Sequence, residues 1–257
     1  MISLGIDLGS NTVKAVLLKD GKEVLATSVR KGTYDPQAVA DEVVADCVAA
    51  AGIARADIGK VVATGYGRIS CAFADKEISE ISCHGRGAYF TLPSTRTIID
   101  IGGQDSKVIV LSENGKVTDF IMNDKCAAGT GRFLEVMASA LGLELSQFGP
   151  IALQSTKPIE ITNTCTVFAE SEVISLLARK TAKEDIIAGL HRSIASRVLA
   201  LASRLSTADD VMATGGVALN SGVVAALETA SGRKIKVPPM PQLNGALGAA
   251  LYASEMT

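Results

Sequence analysis

The sequence predicts an α/β protein that is made of two related domains. Its 257 residues are rich in Gly, Ala, Val and Ile and lack Trp, as is typical of tightly packed α/β proteins. Apolar patterns typical of strands and of helices alternate along the chain. A hairpin pattern with a glycine-containing turn occurs twice, and this repeat indicates two domains that each begin with a β-hairpin.

The two hairpin patterns, residues 4–18 and residues 99–111, match one another without a gap. The matching pairs are Asp7 with Asp100, Gly9 with Gly102, Lys14 with Lys107 and Leu18 with Leu111. Glycine lets the backbone of a turn approach a ligand, and successive N–H groups form an anion-binding nest. An aspartate at the end of the preceding strand can hold a divalent cation through water. An ordinary hairpin turn would explain one copy, but two copies in register favour a phosphate site.

A second informative segment, residues 123–133, has Cys126 just before a glycine-containing turn. Apolar residues then follow at helical spacing, at Phe133, Leu134, Met137 and Leu141. The sequence therefore predicts a thiol at the N-terminal end of a helix, where unpaired N–H groups and the helix dipole stabilise negative charge. A thiolate, an anionic metal cluster or a phosphate would each suit such a place.

The remaining elements follow from periodicity and turn residues. Helices are predicted over residues 35–51, 78–90, 171–178, 183–206 and 244–253, and residues 143–152 are predicted to be a loop or a short helix. Strands are predicted over residues 23–28, 60–64, 159–162, 211–214 and 234–237, and the fourth of these leads into a glycine turn that opens a helix. Glu80 lies near the start of the second helix, and Cys165 ends an extended run that leads into the third. His191, in the long fourth helix, is interpreted as a polar or packing residue rather than a ligand.

Composition excludes several classes of function. The formal net charge of −2 gives no electrostatic footprint for nucleic acid. No apolar run is long enough to span a bilayer, and the N-terminus reads directly as a strand rather than as a signal peptide, so we expect a cytoplasmic protein without membrane partners. Five cysteines, an odd number with no CxxC pair, make a disulfide framework unlikely in such a protein.

Five of these segments, in this order, resemble the signature segments of the actin-like ATPase superfamily, which includes acetate and sugar kinases, actin and the heat-shock ATPases. They cover residues 7–14, 78–92, 100–107, 214–220 and 244–253. The resemblance implies an actin-like ATPase fold with a nucleotide cleft between two related domains. Domain I is expected to comprise residues 1–94 and 246–257, and domain II residues 95–245.

The same resemblance implies roles for individual residues, with ATP or ADP and Mg²⁺ as cofactors. Asp7 and Asp100 would organise Mg²⁺ through water, and Glu80 or Gln104 would orient the attacking water. The implied phosphate contacts are Gly9, Ser10, Asn11, Thr12, Val13, Lys14, Gly102, Gly103, Gln104 and Asp105. The implied adenosine contacts are Gly215, Gly216 and Asn220, and Gln242 is a further nucleotide contact.

Two cysteine-containing segments, residues 123–133 and 164–173, narrow the resemblance to the activator (component A) of the 2-hydroxyacyl-CoA dehydratases. That family also contains the ATPase subunits of benzoyl-CoA reductase, and the resemblance covers essentially the whole chain. It implies a homodimer that shares one four-iron four-sulfur cluster. A cubane takes four thiolates, and Cys126 and Cys165 from both subunits would supply them. Cys47, Cys71 and Cys83 are then not ligands.

The implied function is ATP-dependent transfer of one electron. The electron would come from reduced ferredoxin or flavodoxin, and ATP-driven rearrangement would pass it to the dehydratase (component D), which removes water from an (R)-2-hydroxyacyl-CoA. Such a cluster would be sensitive to oxygen. Three alternatives stay open: a small-molecule kinase of the same fold, an activator of another iron–sulfur reductase such as an aryl-CoA reductase or a double-cubane protein, and a non-enzymatic actin-like assembly module.

Overall fold

A computed structural model describes residues 1–123, 128–162 and 165–256 of the chain. The chain forms two compact units. Unit 1 contains residues 1–95, residues 111–118 and the C-terminal segment from Gln242, and unit 2 contains residues 96–110 and 119–241. The domain boundaries expected from the sequence stay a prediction. Within the described residues, no helix is both long and apolar enough to cross a membrane.

The described residues form ten strands in two five-stranded sheets. The strands are β1 (Ile2–Leu8), β2 (Thr12–Lys19), β3 (Glu23–Lys31), β4 (Ile58–Thr64), β5 (Lys76–Glu77), β6 (Thr97–Ile101), β7 (Ser106–Leu111), β8 (Val117–Asn123), β9 (Val211–Thr214) and β10 (Ile235–Lys236). The first sheet has the order β3-β2-β1-β4-β5, and the second has the order β8-β7-β6-β9-β10. In each sheet, the first strand of an antiparallel hairpin also pairs with a parallel strand on its other edge. β1 pairs with β2 and β4, and β6 pairs with β7 and β9. The two sheets therefore share one connectivity.

Eight α-helices accompany the sheets in the described part of the chain. They are α1 (Pro36–Ala51), α2 (Glu80–Thr91), α3 (Gly131–Leu141), α4 (Leu145–Ala152), α5 (Thr166–Ala178), α6 (Lys183–Ala202), α7 (Ser221–Ser231) and α8 (Asn244–Ser254). Their bounds differ from the sequence prediction chiefly at α5, which begins directly after Cys165, five residues before the predicted start. The four apolar residues predicted to mark a helix after Cys126 all lie on α3 and are buried in the core of unit 2.

The predicted strand over residues 159–162 is wrong, because these residues belong to no strand or helix. Its backbone is satisfied by α6 instead: the amide N of Ile159 donates to the carbonyl O of Asp185 at 3.0 Å. The carbonyl of Ile159 also lies against Gly189, where a Cβ atom would come within 2.0 Å of it. A β-like run of residues therefore meets its hydrogen-bonding needs on a helix, which the local pattern cannot foresee.

Glycines allow α8 to pack directly on the backbone of unit 1. A Cβ atom on Gly5, in the middle of β1, would come within 2.0 Å of the Ala246 carbonyl O. One on Gly248 would come within 1.8 Å of the Cys83 carbonyl O on α2, and one on Gly87 within 2.3 Å of the Asn244 carbonyl O. The small-residue helix expected at the end of the chain thus packs against both β1 and α2. These contacts leave no room for a side chain at Gly5, Gly87 or Gly248.

Candidate functional site

The first hairpin, β1 and β2, brings a carboxylate and an ammonium group together at its closed end. Asp7 and Lys14 are directly opposed in the antiparallel register, and Lys14 Nζ lies 2.9 Å from Asp7 Oδ2. The amide N of Gly9 donates to the carbonyl O of Thr12 at 3.1 Å and closes the turn. A Cβ atom on Gly9 would lie 2.8 Å from Lys14 Nζ, so glycine is what lets the ammonium approach the turn backbone.

The second hairpin, β6 and β7, repeats this construction. Asp100 and Lys107 are opposed in the register, and the amide N of Gly102 donates to the carbonyl O of Asp105 at 2.9 Å. Lys107 Nζ lies 2.8 Å from Asp105 Oδ2 and 3.5 Å from Asp100 Oδ2. The hydroxyl of Thr214, at the end of β9, donates to Asp100 Oδ1 at 2.8 Å. The pairs aligned in the sequence therefore occupy equivalent places, and the second hairpin concentrates two carboxylates around one buried lysine.

The turn of the second hairpin is also bonded to the N-terminus of α3. The amide N of Gly131 donates to the carbonyl O of Gly102 at 2.8 Å, and the amide N of Arg132 donates to the carbonyl O of Gly103 at 2.8 Å. A Cβ atom on Gly131 would lie 3.1 Å from the Gly102 oxygen, so the contact is close. Two of the N–H groups at this helix start, where the sequence predicted an anion site, are therefore used within the protein. They join the turn of the second hairpin to α3, which begins five residues after Cys126.

The glycine turn after β9 lies against the end of β6. Gly215 has a φ of +84°, a backbone conformation that favours glycine, and a Cβ atom there would come within 2.3 Å of the Ile101 carbonyl O and 3.0 Å of Asp100 Oδ1. A Cβ atom on Gly216 would have nothing within 4 Å. The side-chain oxygen of Asn220 caps α7 by accepting from the amide N atoms of Gly222 at 3.0 Å and Val223 at 3.2 Å. This turn therefore has one open position, beside Gly216.

Within unit 1, Asp7 is enclosed by two glycines that the sequence reasoning did not assign to the site. A Cβ atom on Gly65 would lie 2.3 Å from Asp7 Oδ1, and one on Gly245 would lie 3.3 Å from Asp7 Oδ2 and 3.1 Å from His84 Nε2. Gly65 directly follows β4, whose last residue, Thr64, pairs with Asp7. The signal in the sequence was a strand that ends in glycine, but only the sheet register brings that glycine to the aspartate.

The other predicted catalytic and nucleotide residues lie in these same parts of the structure. Glu80 is the first residue of α2, in unit 1, and Ser79 caps that helix through its hydroxyl. Gln104 is exposed in the turn of the second hairpin, and Gln242 lies in a short helical turn, Pro241–Leu243. Ser10, Asn11 and Val13 belong to the first hairpin, and Ser10 is the exposed residue of its turn. The roles given to these residues stay predictions.

The described cysteines fall into two environments. Cys47, Cys71 and Cys83 are buried, and burial raises the pKa of Cys47 and Cys83 to about 12 and that of Cys71 to about 11. Cys165 is exposed and occupies the N-cap position of α5, where its side chain makes no capping hydrogen bond. Cys126 lies outside the described residues. The described residues contain no group of three or more His, Cys, Asp or Glu side chains that could hold a metal ion.

Glu172 on α5 holds Thr162, which precedes Cys165 by three residues. Its carboxylate accepts from the amide N of Thr162 at 3.0 and 3.2 Å and from the Thr162 hydroxyl at 3.0 Å. The Cys165 thiol is therefore exposed at the N-terminus of α5, the same helix whose Glu172 holds Thr162. An exposed thiol in that position suits a ligand of a cluster shared with other chains, whereas the three buried thiols do not.

The model of the BadF/BadG/BcrA/BcrD ATPase family matches residues 4–253. The chain is 54% identical to the (R)-2-hydroxyglutaryl-CoA dehydratase activating ATPase of Acidaminococcus fermentans, over 98% of this chain and 96% of that one. The activator of the 2-hydroxyisocaproyl-CoA dehydratase from Clostridium difficile, solved with bound ADPNP, superposes with a TM-score of 0.96 at 50% identity, over 99% of this chain and 95% of that one. A ROK family glucokinase from Streptomyces griseus, 15% identical over the whole of both chains, has the same fold at a TM-score of 0.59.

These likenesses confirm the fold class expected from the sequence, an α/β actin-like ATPase fold with two related domains. The kinase is similar in fold alone, whereas the two activators match in sequence along almost the entire chain. By its sequence and its structure together, the chain belongs to the BadF/BadG/BcrA/BcrD ATPase family.

Proposed function

We propose that this chain is an ATP-dependent activator that delivers one electron to a 2-hydroxyacyl-CoA dehydratase. The high identity to activating ATPases of such dehydratases supports the class of partner. The observation that carries the proposal is the pair of hydrogen bonds from the α3 amides of Gly131 and Arg132 to the turn of the second hairpin. They connect the turn that we propose binds phosphate to α3, which begins five residues after Cys126.

The nucleotide is ATP with Mg²⁺. In unit 1, Asp7 holds Mg²⁺ through water, and the phosphate contacts are Gly9, Ser10, Asn11, Thr12, Val13 and Lys14. In unit 2, Asp100 holds Mg²⁺ through water, and the phosphate contacts are Gly102, Gly103, Gln104 and Asp105. The adenosine contacts are Gly215, Gly216 and Asn220, and Gln242 is a further nucleotide contact. Glu80 or Gln104 orients the water that attacks the terminal phosphate, and Asp7 and Asp100 accept hydrogen bonds from the waters that Mg²⁺ retains.

Cys165 and Cys126, with the same two cysteines of a second copy of the chain, hold one four-iron four-sulfur cluster. The cluster would accept and release one electron at low potential. Val167 and Phe168, which follow Cys165 on α5, are 66% and 63% exposed. Exposed apolar side chains beside the thiol favour burial of this end of α5 against another protein. This supports a homodimer in which the two copies meet at the cysteines.

The electron comes from reduced ferredoxin or flavodoxin and goes to the dehydratase, component D. Hydrolysis removes a phosphate from the turn formed by Gly102 and Gly103, whose carbonyl groups are bonded to α3. A displacement of that turn moves the start of α3, and with it the chain that precedes the helix. In this way the state of the nucleotide reaches the cysteine segment through two backbone hydrogen bonds rather than through a long pathway.

Anaerobic purification with iron and sulfide assays tests the proposal. We expect a brown homodimer with about four iron atoms per two chains, since a cubane takes four thiolates, and loss of the iron in Cys165→Ser. Asp7→Ala should keep the iron but abolish ATP-dependent activation of the dehydratase. A colourless monomer that binds ATP would overturn the cluster and favour a kinase. An iron-containing dimer that activates an aryl-CoA reductase but no 2-hydroxyacyl-CoA dehydratase would overturn the choice of partner.

A further inference from the structure

A buried histidine contacts the residue that caps α7. His191, on α6, is 1% exposed, and its Nε2 atom lies 3.3 Å from Nδ2 of Asn220. Both residues belong to unit 2. Asn220 also ends the glycine turn after β9, since its amide N donates to the carbonyl O of Val217 at 2.9 Å. The histidine therefore reaches the side chain that caps α7, on the residue whose backbone amide closes the turn.

The hydrogen bonds of Asn220 determine which atoms of His191 carry protons. The Asn220 oxygen accepts from the amides of Gly222 and Val223, so its NH₂ group must be the part that faces the histidine. An NH₂ group only donates, and His191 Nε2 must therefore accept. The ring is then neutral, with its proton on Nδ1. Burial lowers the pKa of His191 to about 4, which keeps the ring neutral near pH 7.

The other ring nitrogen has no hydrogen-bond partner in the part of the chain that the structure describes. Gly222 lies so close to Nδ1 that a Cβ atom on this glycine would come within 2.6 Å of it. The centroids of the His191 and Phe148 rings are 6.1 Å apart, and the angle between the ring planes is 54°. An unpaired buried N–H group costs stability, and an apolar side chain of similar size would avoid that cost. Packing alone does not account for a histidine at this place.

We propose that His191 is a positioning residue for the adenosine end of the nucleotide site. It accepts a hydrogen bond from Asn220, and this fixes the Asn220 amide and hence the turn from Gly215 to Leu219. The ligand class is an adenine nucleotide, so the inference rests on the proposed function. The Asn220 oxygen and one of its N–H groups are used within the protein, so these bonds fix the orientation in which Asn220 meets the adenosine.

Two substitutions separate this role from a structural one. His191→Leu removes the acceptor, and His191→Gln retains one in its side-chain oxygen. In the complete, anaerobically purified protein, we expect His191→Leu to weaken ADP binding by about tenfold, the size of effect that one lost hydrogen bond produces. Binding of tripolyphosphate, which has no adenosine, should stay unchanged, and the kcat of ATP hydrolysis at saturating ATP should persist. His191→Gln should recover most of the ADP affinity.

A matched control comes from the same helix. Val198 is buried on α6 about two turns beyond His191, and Val198→Ala lowers stability without touching Asn220. We expect it to lower the unfolding temperature and to leave both affinities unchanged. If His191→Leu weakened ADP and tripolyphosphate equally, or if His191→Gln were no better than His191→Leu, the positioning role would be wrong. Absence of ADP binding by the unaltered protein would instead overturn the proposed function, and the present inference with it.

A measurement without substitutions guards against variants that do not fold. The chain has only two histidines, His84 and His191, so ¹⁵N-histidine labelling gives two sets of ring signals. Nuclear Overhauser contacts with the ring of Phe148, whose centroid lies 6.1 Å from that of His191, identify the set that belongs to His191. Near pH 7 we expect this ring to be neutral, with a protonated Nδ1 and an unprotonated Nε2. A charged ring, or a proton on Nε2, would place two donors face to face and would overturn the inference.

Discussion

The two hairpins share a register and a turn, yet they use their lysines differently. Lys14 in the first hairpin has one carboxylate partner and a side chain that is 14% exposed. Lys107 in the second is 2% exposed and lies beside two carboxylates, those of Asp100 and Asp105. The difference traces to one position of the repeat, where Thr12 in the first copy corresponds to Asp105 in the second. The charged groups joined at the turn, Asp100, Asp105 and Lys107, sum to −1 in the second hairpin, whereas Asp7 and Lys14 sum to zero in the first.

The cysteines and the turn contacts extend this comparison to the two units. All three buried cysteines belong to unit 1, and the exposed Cys165 belongs to unit 2. The turn of the first hairpin is braced by the end of β3, where the amide N of Gly32 donates to the carbonyl O of Asn11 at 2.8 Å. The turn of the second is braced by the N-terminus of α3. Two sheets of one connectivity thus differ in what surrounds them. In unit 2, the hairpin turn is bonded to a helix, and the exposed cysteine lies in the same unit.

The largest expected effect separates the two lysines. Lys107→Met removes the buried cation that lies beside the buried Asp100 and the partly buried Asp105, and we expect it to lower the free energy of unfolding by about 3–5 kcal/mol. Lys14→Met removes a partly exposed cation from beside one buried carboxylate, that of Asp7, and we expect a loss of about 1.5–3 kcal/mol together with weaker ATP binding. Urea unfolding and nucleotide titration measure the two effects. Equal losses of stability would mean that the charge difference between the hairpins is unimportant.

The next effect concerns the buried histidine of unit 2. Burial lowers the pKa of His191 in the folded chain to about 4, against about 6.5 when unfolded, so the unfolded chain binds more protons between these values. Stability from this group is present above pH 6.5 and is lost as the pH falls through 4, by about 3 kcal/mol in total. Urea unfolding of His191→Gln across this range should show a correspondingly flatter decline. Parallel curves for the two proteins would contradict the assignment.

A smaller effect tests the contact that only the second hairpin makes. Gly131→Ala places a methyl group about 3.1 Å from the Gly102 oxygen and should push α3 away from the turn. We expect electron delivery to the dehydratase to fall roughly tenfold, the equivalent of one hydrogen bond, while ATP hydrolysis is largely kept. Gly142→Ala is the control, because it adds the same methyl group at the other end of α3, where nothing lies within 4 Å but φ is +64°. It should therefore lower stability through backbone strain without touching the turn of the second hairpin. Loss of hydrolysis and delivery in equal measure would argue against coupling through this contact.

The smallest expected effect is on the protein itself, because chemical modification distinguishes the exposed cysteine from the buried ones without a substitution. In folded, cluster-free protein at pH 8, iodoacetamide should modify Cys165 and spare Cys47, Cys71 and Cys83. A thiol with a pKa near 12 has only about one thiolate in ten thousand at that pH, and burial also blocks access. Mass spectrometry of peptides locates the label, and the same reaction in urea should label all three spared cysteines. Labelling of any of them in the folded protein would show that unit 1 opens readily.

Local patterns predicted the parts of the fold that local chemistry determines. The spacing of aspartate, glycine and lysine in each hairpin is such a pattern, and so is the apolar spacing that marks α3. Residues 159–162 were predicted wrongly because their backbone partner, α6, is distant in sequence. The second carboxylate on Lys107 and the contact of His191 with Asn220 also depend on side chains that the fold brings together. No periodicity reports such pairs, although Asp105 itself stood in the predicted phosphate turn.

The close approach of α8 to β1 and α2 has a consequence for mutational scanning. Gly5, Gly87 and Gly248 lie where even a methyl group would meet a backbone carbonyl at 1.8 to 2.3 Å. In a saturation library these three codons should therefore tolerate no replacement, alanine included, although none of them belongs to a phosphate turn or carries a thiol. Depletion at these codons would measure how tightly two helices and a strand fit together, and it should not be mistaken for a map of the catalytic residues.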